Sequence, residues 1–62
     1  MPLTPKEMIR LLQNNGFIII RQRGSHVQLL NLKSKRSTTV PLHNKDLSKG
    51  LEQAILKQAG IK

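Results

Sequence analysis

Gly24-Ser25-His26 is the tripeptide best suited to chemistry in this chain of 62 residues. A histidine side chain in water titrates near pH ~6.5, so roughly one quarter of such rings are protonated at pH 7 and the rest accept a proton. Cleavage of RNA through its 2′-hydroxyl needs both forms: a base for the hydroxyl proton and an acid for the leaving oxygen. Gly24 permits close approach of the backbone to a ligand, and Ser25 offers a hydroxyl and a backbone N–H to a phosphate. Arg21, Arg23, Lys33, Lys35 and Arg36 flank the tripeptide. They are expected to line the same face, where cations stabilise a phosphorane-like transition state. On spacing alone the plainer reading is a surface histidine beside a turn. His43, just after Pro41-Leu42, is either a second acid or base or a side chain that hydrogen-bonds the backbone of a connection, and the structural role is preferred. A metal shared by the two histidines would draw on Glu7, Asp46 and Glu52 alone, and two of these have helix-start roles. Neither metal nor cofactor is expected.

Charge says what such a histidine would meet. Eleven Lys and Arg stand against three Asp and Glu, a net charge of +8. So strong a field on a small body draws in polyanions and makes binding salt-dependent. Nucleic acid is the first candidate, ahead of an anionic membrane or an acidic protein. Phe17 is the sole aromatic residue and is needed in the core, which argues against stacking platforms for single-stranded bases. What remains is recognition of backbone charge and shape. The chain has no cysteine, so neither disulfides nor a thiolate zinc site reinforces it. The longest apolar run, Phe17 to Ile20, is far short of the ~18 residues of a membrane helix, and the N-terminus lacks the apolar region of a signal peptide. A soluble, cytoplasmic protein of one domain, residues 1–62, is expected.

The elements that must position these groups are legible in turn. Thr4 with Glu7 makes a capping box, Pro5 suits a first helical position, and Met8, Ile9, Leu11 and Leu12 recur at helical spacing. This helix is expected over Pro5 to Asn15, with Gly16 as its left-handed cap. Phe17 to about Gln22, with three consecutive isoleucines, reads as strand one. Arg23-Gly24-Ser25 is a turn. Strand two covers His26 to Asn31, with Val27 and Leu29 on one face and His26, Gln28 and Leu30 on the other. Lys33 to Arg36 is a basic hairpin loop, and Ser37 to Pro41 is strand three, closed by its proline. After a connection from His43 to Leu47, Ser48 caps a second helix whose stripe reads Leu51, Ala54, Ile55 and Ala59, ending at Gly60. The order αβββα is packed most economically as an α+β fold: a three-stranded antiparallel meander with both helices on one face. The other face is left open, with His26 on it.

In ordered sequence, Thr4-Pro5-Lys6-Glu7, Leu11-Leu12, Asn15-Gly16-Phe17, Arg21, Gly24-Ser25-His26, Val40-Pro41-Leu42-His43, Leu47-Ser48-Lys49-Gly50 and Ile55 to Gly60 resemble the HicA family of toxin–antitoxin ribonucleases. The resemblance implies a double-stranded-RNA-binding-like fold, cleavage of mRNA that halts translation, and neutralisation by a HicB-like antitoxin. The family's catalytic histidine falls on His26, and His43 falls on a position of structural character. Val27 stands where some relatives carry a second histidine, which leaves one ring for both proton transfers. Gly50-Leu51-Glu52 departs from the Gly-Thr-Leu common at the last helix, a matter of the cap and partner surface. Two other classes stay open: a non-catalytic RNA-binding module of the same fold, and an adaptor for an acidic partner.

Overall fold

A computed structural model describes residues 3–43 and 45–61. Its elements are α1 (Pro5–Asn14), β1 (Phe17–Arg23), β2 (His26–Asn31), β3 (Ser37–Pro41) and α2 (Lys49–Ala59). The strands form one antiparallel sheet in the order β1-β2-β3. The α+β order expected from the sequence is thus the observed one, with α1 a residue shorter and β1 a residue longer.

Helix α1 starts where its capping box sets it. The Thr4 N–H donates to Glu7 Oε1 at 2.9 Å, and the Glu7 N–H donates to Thr4 Oγ1 at 3.2 Å. The hydrogen bond from the Thr4 backbone, followed by that with its side chain, holds the Glu7 carboxyl below its ordinary value of 4.5. The helix ends at Asn15, and Gly16 then takes φ +92° to turn the chain into β1. The Asn31 side chain fastens this corner. Its amide donates to the Asn15 carbonyl at 3.1 Å, while its oxygen accepts the N–H groups of Lys33 and Ser34. One side chain therefore ties the end of α1 to the β2–β3 hairpin.

The core is sandwiched between the helices and one face of the sheet. Met8 and Leu12 from α1 meet Phe17, Val27, Leu29 and Val40 from the strands, and α2 adds Ile55, Leu56 and Ala59. Leu47, inside the connection before α2, is also buried, and its N–H donates to the Leu3 carbonyl. The α2 stripe differs from the one read in the sequence. Leu51 and Ala54 are exposed, and Leu56 is buried instead. Between them the half-buried Glu52 turns to the N-terminal segment, where its carboxylate accepts the Leu3 N–H at 2.6 Å. That bond ties the first turn of the helix to the N-terminal segment, and the buried positions fall in its second half. Ser48 caps the helix through the Leu51 N–H, and Gly60 closes it at φ +75°, both as expected.

Candidate functional site

His26 is the first residue of β2, directly after a two-residue turn of Gly24 and Ser25. Gly24 has φ +55° and Ser25 does not share the left-handed region. A glycine at positive φ in the first turn position suits a tight hairpin of the II′ kind. The turn therefore accounts for Gly24, and a Cβ there would meet only open space. The hairpin closes on the pair Arg23 and His26. On the other flank His26 lies opposite Pro41, and the Leu42 N–H donates to the Ser25 carbonyl. The ring is thus set between two strands by its backbone. The side chain itself is exposed and makes no hydrogen bond among the described residues.

Strand β1 determines which cations share its face. Residues opposite one another in an antiparallel ladder point the same way. Plain alternation from buried Phe17 would send Ile19, Arg21 and Arg23 toward the helices. The ladder instead pairs Ile19 with Leu29 and Arg21 with Gln28, leaving Ile20 without a partner. This bulge reverses the phase of the strand. Beyond it, Arg21 and Arg23 lie on the open face with His26 and Gln28, and Gln22 takes the inner side with Val27. Arg23 is the direct neighbour of His26, and Arg21 is its diagonal neighbour, at Cβ separations of roughly 5 Å and 7–8 Å. Together with Gln28 and Thr39 these three side chains line a shallow depression of about 160 Å³.

The remaining sequence candidates lie elsewhere. Lys33 and Lys35 belong to the β2–β3 turn at the far end of the hairpin. Five residue steps of strand separate Asn31 from His26, on the order of 17 Å. Arg36 leaves the sheet for the C-terminal end of α2. Its Nη1 donates to the Gln58 carbonyl at 3.4 Å, and its side chain covers Gly60. A cation at a helix C-terminus is placed favourably against the dipole, so a structural use accounts for Arg36. Ser25 is exposed in the turn beside His26 and is not among the residues that line the depression. His43 lines a different and larger hollow of about 440 Å³ with Thr4, Pro5, Lys6 and Leu42, which shares no residue with the first. Its size does not make it the site, for it holds one imidazole and one ammonium beside mostly apolar walls. Gln28 and Thr39 are the site residues that sequence reasoning missed. Alternation from His26 reaches Gln28, but Thr39 becomes its neighbour only through the β2–β3 register.

The open face carries cations without acids. Glu7 lies in α1, Asp46 in the connection and Glu52 in α2, so no carboxylate stands on the sheet. Among the described residues no three His, Asp or Glu side chains gather as a metal site, and no helix is long and apolar enough to cross a membrane. An exposed imidazole beside two guanidiniums can move a proton at a phosphate whose charge they hold. Compared with known proteins, residues 5–61 match the family model described as HicA toxin of bacterial toxin-antitoxin. No curated protein matches the chain.

Proposed function

Since the chain belongs to the HicA toxin family of bacterial toxin–antitoxin systems, we propose that it is an endoribonuclease that cuts mRNA with His26 and so halts translation. The observation that carries this reading is the exposed His26 ring beside Arg21 and Arg23 on a face without carboxylates. The 2′-oxygen attacks the adjacent phosphorus and the bond from phosphorus to the 5′-oxygen breaks. A 2′,3′-cyclic phosphate and a 5′-hydroxyl result. The imidazole takes the 2′-hydroxyl proton, and the leaving oxygen is protonated by the imidazolium so formed or by water. Arg21 and Arg23 hold the phosphate as its charge grows. Ser25 turns its hydroxyl or N–H to the same phosphate. Lys33 and Lys35 attract the RNA further along its backbone, and the contribution of Arg36 there is secondary to its place on α2. The reaction needs no metal, the working compartment is the cytoplasm, and a HicB-like antitoxin restrains the enzyme.

The test is purified protein with RNA in EDTA, beside His26→Ala. Wild type is expected to produce cyclic-phosphate ends. The variant, folded because the side chain is exposed, is expected to bind RNA with unchanged affinity and to lose at least ~10²-fold in rate. Undiminished cutting by the variant overturns the assignment of His26. Salt-sensitive binding without product in both proteins leaves an RNA-binding module only.

A further inference from the structure

The longest strand of the sheet is also an uncovered edge. β1 is seven residues long and has only β2 beside it. Among the described residues, none of the backbone hydrogen bonds made outside the elements involves Phe17 to Arg23. Ile18, Ile19 and Ile20 are 45 %, 47 % and 48 % exposed. The opposite edge is managed differently: β3 has five residues, ends in Pro41, and is braced by the Thr38 hydroxyl donating to Gln58 Oε1 on α2. A long apolar edge with free N–H and C=O groups is a template for an added strand.

From this juxtaposition we infer that the β1 edge takes up an extended segment of an acidic protein, which pairs with it as a fourth strand. The edge has two chemically distinct halves. Ile18 to Ile20 present apolar side chains, and Arg21 and Arg23 present guanidiniums. A complementary strand carries apolar residues followed by carboxylates. A second copy of this chain is a poor occupant, because it brings another +8 charge and sets its own arginines close to these. The added strand also has a regulatory consequence, which rests on the nuclease reading above. Its carboxylates compete for Arg21 and Arg23, the cationic wall of the His26 depression, so docking at the edge excludes the RNA phosphate from the ring.

The probe is the antitoxin encoded with this toxin, purified as the complex. Amide hydrogen exchange in β1 is expected to slow at least tenfold on complex formation. The double variant Ile18→Ser/Ile20→Ser, altered only at exposed positions, is expected to bind the antitoxin at least tenfold more weakly while its melting temperature and RNA cleavage stay those of wild type. Exchange in β1 that is unchanged by the antitoxin overturns the inference. So does full affinity in the double variant, or a dimer of the free toxin in sedimentation equilibrium that this variant abolishes. A wild-type toxin that binds antitoxin along β1 yet cuts no RNA sinks the nuclease reading alone.

Discussion

Gln22 separates two arginines and is exposed like them, yet it faces the other way. This makes the three residues a sensitive test of the site. Arg21→Ala and Arg23→Ala are each expected to lower the cleavage rate tenfold or more, since each removes charge from the transition state. Gln22→Ala is expected to leave the initial rate within twofold. Equal losses at all three positions would mean that net charge alone matters. At this scale the sequence reveals much, because an exposed histidine at a strand start follows from alternation with Val27 and Leu29, which are buried. It conceals Thr39, whose place beside Gln28 depends on a cross-strand register that no local pattern encodes. It conceals also the use of Arg36, since a basic residue in a hairpin loop reads as a surface charge until α2 is seen to end beneath it.

Helix caps and corner bonds set the elements, and several are measurable. Asn31→Ala removes three hydrogen bonds at the end of α1 and the β2–β3 hairpin. A cost of about 2 kcal/mol in urea unfolding is expected, given ~0.5–1.5 kcal/mol for each bond and partial replacement by water. Gly60→Ala is expected to destabilise by at least ~1 kcal/mol, because its φ of +75° disfavours a side chain and the new Cβ would lie 2.7 Å from Arg36 Nε. The Glu7 carboxyl gives a pH signature. Its folded value lies below 4.5, so its contribution is complete above pH 4.5 and is lost as the pH falls through the folded value. Thermal melts of Glu7→Gln are therefore expected to show a shallower loss of stability on acidification. These elements were legible because caps are local: Thr4, Gly16, Ser48 and Gly60 announce them. The tie between Glu52 and Leu3 was not, since it is a pairing across 49 positions of sequence.

For the whole molecule, size and charge set the margins. At ~0.05–0.15 kcal/mol per residue, a chain of this length has roughly 3–9 kcal/mol of stability. Leu29 is fully buried at the centre of the sheet, and Leu29→Ala is expected to cost ~2–5 kcal/mol. Circular dichroism at 37 °C is expected to show a substantially unfolded population. The charge of +8 acts over a body only 30 × 26 × 16 Å across. Contacts to about four phosphates of single-stranded RNA give a slope near −3 for log affinity against log salt. A flat dependence would remove the electrostatic account of substrate capture. Composition conveys this property of the whole chain directly, and the αβββα order conveys the sheet with one open face. The exposed isoleucines of β1 are the feature that neither makes visible, because a run of isoleucine reads as core.

The unpaired Ile20 lets the isoleucine triplet absorb one residue of chain length without disturbing the ladder. Trimming one member would barely change mass, hydropathy or strand propensity, and by every compositional measure it would be the mildest of deletions. It would also remove the bulge and leave simple alternation from Phe17 onward, with Arg21 and Arg23 still on the open face and Gln22 still beneath. Homologous strands are therefore better aligned by the partner each residue faces on the neighbouring strand than by counting odd and even steps from the aromatic anchor, for the bulge shifts the count by one without turning the arginines over.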